Sequence, residues 1–166
     1  MVQAPTTPLI SLLFVCMGNI CRSPTAHGVM RQLIAEHGLS ERVHVDSAGT
    51  HSYHLGHAPD PRAQAVAQER GIELNDLRSR LMTEADCARH DLILVMDWDN
   101  LALAQAMCPE AHAHKIRRLT EFCLQRQDAV VPDPYYGGPQ GFNDVLDLVQ
   151  DACQGVLRWT QQRLAN

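Results

Sequence analysis

The sequence lacks several features that mark common protein classes. No apolar run approaches the roughly 20 residues that span a bilayer. Residues 1–8 lack the basic and apolar regions of a secretory signal, and no Cys-x-x-Cys pair occurs. We therefore expect a cytoplasmic protein without membrane insertion, a flexible N-terminus at 1–8, and six cysteines that are mostly free thiols.

Positive charge is also scarce. The 166 residues carry 14 Lys and Arg against 19 Asp and Glu, and the basic residues do not gather into runs. With a net charge of −5, the chain lacks the basic patch that nucleic-acid binding requires, so no nucleic-acid partner is expected. The apolar content of 45% and the absence of internal repeats favour a single domain over residues 1–166, and we expect a monomer.

Short apolar segments alternate with helical patterns along the chain. Buried strands are predicted at 10–15, 43–45, 92–96 and 115–119. Helices are predicted at 25–37, 61–70, after Thr83, at 100–107 and at 142–164. This alternation predicts an α/β fold, a doubly wound sandwich with a central four-stranded parallel sheet, whose ligands bind at the carboxyl ends of the strands.

The segment FVCMGNICRSPTA at 14–26 lies where the first strand should give way to the first helix. Backbone N–H groups of such a loop converge on an anion, and Gly18 permits the tight curl. Arg22 can add two parallel donors to phosphate oxygens. Cys16 at the base of the loop would be a thiolate nucleophile toward a phosphate monoester, and this chemistry requires neither a metal nor a cofactor.

The string Cys-Met-Gly-Asn-Ile-Cys-Arg-Ser-Pro at 16–24 resembles the C-x-G-N-x-C-R-S-P loop of the low-molecular-weight protein tyrosine phosphatases. The likeness extends from Ile10 to the closing helix. It implies hydrolysis of phosphotyrosine in proteins through a cysteinyl-phosphate intermediate, with Cys16 as nucleophile and Arg22 binding the transition state. It also implies substrate contacts from the other loop residues, Met17, Gly18, Asn19, Ile20, Cys21 and Ser23.

An aryl leaving group gains from a proton in the transition state, so a general acid is expected on a loop above the phosphate. In VPDPYYG at 131–137, two prolines disfavour helix around Asp133, although Asp-Pro also suits an ordinary turn. The segment resembles the family's D-P-[YF] motif, which makes Asp133 the general acid and base. The resemblance further implies walls for the substrate ring from Tyr135, Tyr136 and Tyr53.

Two further segments resemble supporting parts of the family's site. Ser47, within DSAGT, matches a serine that hydrogen-bonds the loop asparagine, which implies a bond from Ser47 to Asn19. Asp97, within MDWDN, is expected to cap a helix or to contact the site from behind. Cys21 could either capture an oxidised Cys16 as a reversible disulfide or be a small buried side chain.

Three histidines, His51, His54 and His57, recur at every third position beside the predicted mouth. A metal site is not expected there, because no carboxylate or cysteine pair supports them. Contact with substrate or plain solvation is favoured. Their function is left open.

Other activities compete with this interpretation. A thiol-dependent arsenate reductase shares the C-x5-R loop but uses relay cysteines, and no cysteine pair near Cys87 makes a persuasive relay. Protein arginine phosphatases resemble this chain but carry threonine where Ile20 stands. A non-catalytic phosphoprotein-binding module would not need to retain a nucleophile, an arginine and an acid together. Ile20 and Asp133 therefore favour a phosphotyrosine phosphatase.

Overall fold

The computed structural model describes residues 9–135 and 137–166, so the predicted flexible segment 1–8 and Tyr136 lie outside the described residues. One parallel sheet forms the centre, in the order β2-β1-β3-β4. Its strands are β1 (Ile10–Cys16), β2 (Val43–Gly49), β3 (Leu92–Val95) and β4 (Ile116–Arg118). The predicted four-stranded parallel sheet is confirmed. β2 runs four residues beyond its prediction because it pairs with β1 through the full register, as far as Cys16 opposite Gly49.

Helices lie on both sides of this sheet. They are α1 (Arg22–Glu36), α2 (Pro61–Glu69), α3 (Glu84–Arg89), α4 (Trp98–Met107) and α5 (Pro139–Ala165), with 3₁₀ helices at Glu110–Lys115 and Leu119–Phe122. Alternate residues of β1 face opposite sides, as the pleat of a strand requires. Leu12 and Phe14 pack with α1, α2 and α5, whereas Leu13 and Val15 pack with the side that α3 and α4 cover. The predicted doubly wound sandwich is therefore confirmed.

A disulfide joins Cys87 in α3 to Cys108 at the end of α4, with 5.6 Å between their Cα atoms. The prediction of mostly free thiols is confirmed for four of the six cysteines, and this pair is the exception. The two cysteines stand 21 positions apart, and only tertiary packing brings them together. Both lie in the apolar cluster on the face of the sheet opposite Cys16. The free cysteines are Cys16, Cys21, Cys123 and Cys153.

The carboxyl ends of the strands meet at one edge of the sheet, which is where α/β proteins bind ligands. The loop between β1 and α1 lies there, together with the residues that follow β2 and β3. Among the helices of the described part of the chain, none combines the length and the apolar character that a bilayer span requires.

Candidate active site

The loop from Cys16 to Ser23, here called the phosphate loop, curls between the end of β1 and the first turn of α1. Asn19 has a φ of 57°, a left-handed conformation that asparagine tolerates better than most residues. Its Nδ2 donates to Ser23 Oγ at 2.7 Å, and Ser23 Oγ lies 3.0 Å from Cys16 Sγ. The Ser23 hydroxyl, thereby fixed, can donate a hydrogen bond to a thiolate on Cys16.

Arg22 is 2% exposed, and its guanidinium is fixed from behind. Nη1 donates to Asp97 Oδ2 at 2.6 Å and to the carbonyl of Val131 at 3.0 Å, while Nη2 lies 3.7 Å from Asp133 Oδ2. Burial lowers the pKa of Arg22, but the negative charges of Cys16, Asp97 and Asp133 outweigh burial and raise it. Arg22 is thus a permanent, oriented cation beside the sulfur.

Asp97 makes both of the contacts that its sequence position suggested. Its Oδ1 accepts from Asn100 N at 2.8 Å, which caps α4, and its Oδ2 accepts from Arg22. The end of β3 is thereby tied to the phosphate loop.

Asp133 lies across the cavity on the segment before α5. Its side chain is 36% exposed, and its Oδ1 accepts from Tyr135 N at 3.0 Å. A cavity of about 330 Å³ opens between this segment and the phosphate loop. Its lining comprises Cys16, Met17, Gly18, Ile20, Cys21, Arg22, Tyr53, His54, Asp133 and Tyr135. The three predicted catalytic side chains therefore share one cavity.

Aromatic side chains form the upper walls. The ring of Tyr53, 70% exposed, stacks on His51 with centroids 5.2 Å apart. The ring of Tyr135 lies 6.3 Å from that of His54, with the guanidinium of Arg62 5.3 Å from its centroid. Tyr136, the third predicted wall, lies outside the described residues.

The remaining loop residues divide between the floor and the rim. Ile20 and Cys21 are buried in a small cluster with Ala63 and Phe142, whereas Met17 is exposed. Burial raises the pKa of the Cys21 thiol, and Asp60 raises it further. Cys21 therefore stays neutral beside the nucleophile. A Cβ at Gly18 would lie 2.8 Å from the His54 ring, so only glycine allows this close approach.

The predicted bond from Ser47 to Asn19 is replaced by another pairing. Ser47 Oγ instead lies 2.9 Å from His27 Nδ1, because the pleat of β2 turns this side chain toward α1. The carboxamide oxygen of Asn19 accepts from Arg80 N at 3.1 Å. Ser47 supports the start of α1 rather than the asparagine.

Sequence reasoning placed His54 beside the mouth without giving it a role, and His54 lines the cavity. Three other residues around the site were missed. These belong to the shell behind the loop, where their roles depend on contacts across the fold that no local pattern marks: His27, Ser79 and Arg80. Within residues 9–135 and 137–166, no group of three His, Cys, Asp or Glu side chains is placed to hold a metal ion.

Comparisons with known proteins identify the family. The family model described as low molecular weight phosphotyrosine protein phosphatase matches residues 11–166. A candidate low molecular weight protein-tyrosine-phosphatase of Synechocystis sp. is 43% identical, covering 95% of this chain and 100% of its own. The low molecular weight protein-tyrosine-phosphatase YfkJ of Bacillus subtilis is 36% identical over 93% of this chain and 97% of its own.

A solved structure is equally similar. The crystal structure of a protein tyrosine phosphatase from Entamoeba histolytica with Hepes in its active site superposes with a TM-score of 0.89 at 42% identity. The match covers 92% of this chain and 97% of that one. Since the family model, the relatives and the fold agree over nearly the whole chain, the protein belongs to the low-molecular-weight protein-tyrosine-phosphatase family of enzymes.

Proposed function

We propose that the protein hydrolyses phosphotyrosine in protein substrates, without a metal or cofactor, through a cysteinyl-phosphate on Cys16. The observation that carries this proposal is the arrangement of Cys16, Arg22 and Asp133 around one cavity at the carboxyl edge of the sheet. These residues supply the nucleophile, the transition-state cation and the acid that phosphate-monoester cleavage needs.

In the first step, the Cys16 thiolate attacks phosphorus. An S–P bond forms as the bond from phosphorus to the tyrosine oxygen breaks, and Asp133 donates its proton to the departing oxygen. The Arg22 guanidinium and the backbone N–H groups of the loop stabilise the charge on the three equatorial oxygens. The contact of Arg22 with Asp97 holds the guanidinium in place for this task.

In the second step, water hydrolyses the intermediate. The Asp133 carboxylate accepts a proton from the water, a new P–O bond forms, and the S–P bond breaks. The departing Cys16 sulfur recovers its negative charge beside the Ser23 hydroxyl, 3.0 Å away. Inorganic phosphate then leaves, and Asp133 is protonated for the next cycle.

The depth of the cavity supports phosphotyrosine as the substrate. Cys16 is only 3% exposed at its base, while the ring of Tyr53 stands at the rim. An aryl ring between Tyr53 and Tyr135 would carry its phosphate down to the sulfur, whereas phosphoserine is too short to reach it. The aromatic walls would also stack favourably on the substrate ring.

The competing activities have less support. An arsenate reductase of the relay type needs further cysteines near Cys16. Among the described residues, Cys21 is the one other cysteine that lines the cavity, and Cys87 and Cys108 are paired on the opposite face of the sheet. An arginine phosphatase would contact its substrate at Ile20, where relatives with that activity carry threonine. The apolar side chain of Ile20 lines the cavity here.

The test is hydrolysis of an aryl phosphate by wild type and by Cys16→Ser in excess chelator. We expect full activity from the wild type and none from the variant, with Cys123→Ser as a matched control because Cys123 is free and half-buried away from the cavity. The same wild type, offered phosphotyrosine peptide, phosphoarginine and arsenate with thiol in parallel, should turn over the first. An inactive wild type, or an active Cys16→Ser, would disprove the proposal.

A further inference from the structure

The peptide carbonyls of the phosphate loop are tied to donors outside the loop. Four of them are held in this way: Cys16 O by Thr50 N at 2.9 Å, Met17 O by His51 N at 3.0 Å, Gly18 O by Ser79 Oγ at 2.8 Å, and Ile20 O by Asp60 N at 2.8 Å. The carbonyl of one residue and the N–H of the next point in opposite directions across a trans peptide. Each outward bond therefore directs the following N–H inward, toward the phosphate position.

Ser79 differs from the other three donors. Those donors are backbone N–H groups, which nearly every residue type provides, whereas Ser79 donates through its side chain. Its identity therefore matters at this position. The side chain is also fixed: Ser79 is 5% exposed, its N–H donates to His57 O at 2.9 Å, and its carbonyl accepts from Gly56 N at 2.9 Å.

The peptide that Ser79 holds joins Gly18 to the loop residue that has a positive φ. It leads into Asn19, whose positive φ is unfavourable for a residue with a Cβ. The next residue along, Arg80, donates its N–H to Asn19 Oδ1 at 3.1 Å. Arg80 is itself anchored to β2, because its carbonyl accepts from Gly49 N at 2.8 Å. Two consecutive residues thus fix the Gly18–Asn19 peptide against the sheet.

We propose that Ser79 is a positioning residue of the phosphate site, whose hydroxyl holds the Gly18 carbonyl outward so that the Asn19 N–H is aimed at a phosphate oxygen. The inference rests on the proposed phosphatase function. Without the hydroxyl, the partly buried Gly18 carbonyl loses its partner, and its peptide can rotate to find another. Phosphate and the transition state then lose an oriented donor.

The test compares Ser79→Ala with Ser11→Ala. Ser11 is a matched control, because its hydroxyl also makes a partly buried bond, to His90 Nδ1 at 2.7 Å, but at the amino end of β1. We expect Ser79→Ala to raise the inhibition constant of inorganic phosphate and to lower kcat/KM for an aryl phosphate, each by about tenfold, less than outright removal of an oxyanion donor. Ser11→Ala should change neither, whatever it does to thermal stability.

A second variant separates positioning from folding. Ser79→Thr keeps a hydroxyl on the same carbon, and we expect it to bind phosphate more tightly than Ser79→Ala at equal folded fraction. The positioning role is overturned if Ser79→Ala binds phosphate and turns over substrate as the wild type does. A wild type that neither hydrolyses aryl phosphates nor binds phosphate would instead overturn the proposed function, so the two failures are distinguishable.

Discussion

Asp97 Oδ2 lies 2.6 Å from Nη1 of Arg22, so a carboxylate that caps α4 also orients the cation of the phosphate loop. The side chain of Arg22 is 2% exposed and that of Asp97 is 24% exposed, so the ion pair is largely shielded from water. Hydrogen bonds between charged groups are stronger than neutral ones, and they become stronger still away from water. The position of the Arg22 guanidinium thus depends on α4, a helix that contributes no catalytic group.

Asp97→Asn should therefore affect both stability and turnover. The amide retains an oxygen that can cap α4, but Arg22 loses its charged partner. We expect the free energy of unfolding to fall by about 2 kcal/mol and kcat/KM for an aryl phosphate to fall about tenfold, since the guanidinium is no longer fixed. Urea unfolding and steady-state kinetics measure the two effects. Asp99→Asn, an exposed acid in the same helical turn, is the control and should leave both near wild type.

Asp133→Ala should slow substrates according to how much their leaving group needs a proton. For phenyl phosphate or phosphotyrosine, the loss should be roughly 10²–10⁴-fold, the range of general acid catalysis. A strongly activated aryl phosphate should lose less. The variant should also lack the alkaline fall of kcat if phosphorylation of Cys16 limits the rate. Equal slowing of both esters with that limb intact would make Asp133 a turn residue only.

His27 should make stability depend on pH. Burial lowers its pKa to about 4 from 6.5, with Asp46 opposing this shift. Between these values the unfolded chain binds the proton and the folded chain does not. The free energy of unfolding is therefore unaffected by protonation of His27 above pH 6.5. As the pH falls from there toward 4, protonation of the unfolded chain lowers it by about 3 kcal/mol.

Urea unfolding at several pH values checks this expectation. His27→Asn, which can still bond Ser47, should flatten the acid side of the stability profile. His37→Asn removes an exposed histidine at the end of the same helix and should leave the slope unchanged. An unaltered slope in His27→Asn would contradict the assignment.

Cys21 should protect the nucleophile from irreversible oxidation. Mild peroxide should convert Cys16 to a sulfenic acid. The neighbouring thiol of Cys21 should then condense with this sulfenic acid, which releases water and forms a disulfide. Added thiol should reduce that disulfide. Peptide mapping without reductant would identify the bond, and activity should return with dithiothreitol. In Cys21→Ser, no thiol captures the sulfenic acid, so a second equivalent of peroxide oxidises it to the irreversible sulfinic acid, and dithiothreitol should restore less activity than in the wild type. Recovery in that variant equal to wild type would argue for a purely structural Cys21.

The parts of the site that sequence could predict are those encoded by local order. One loop contains Cys16, Gly18 and Arg22. Because a strand precedes this loop and a helix follows it, the spacing of the three residues indicates an anion site. α1 begins at Arg22, three residues ahead of its prediction, because the loop enters the helix directly and Pro24 still lies in the first turn, where its missing N–H costs little.

The parts that sequence could not predict depend on which way a side chain faces across the fold. Ser47 was expected beside Asn19, yet one strand's pleat places its hydroxyl at His27. Ser79 precedes Arg80 in a stretch without a regular pattern, and only the docking of that stretch against Gly49 brings its hydroxyl to the phosphate loop. A single sequence holds no local signal for such contacts.

The bond between Cys87 and Cys108 encloses β3 and α4 in a covalent ring. A loop of 21 residues, closed in this way, restricts the unfolded chain enough to stabilise the fold by about 3 kcal/mol in the chain-entropy account. The ring contains Asp97, the residue that orients Arg22. Cys87 is 0% and Cys108 8% exposed, so this disulfide is shielded from thiols, whereas Cys16 lines an open cavity. A thiol buffer can therefore reduce an oxidised Cys16 while the covalent ring that holds Asp97 stays closed.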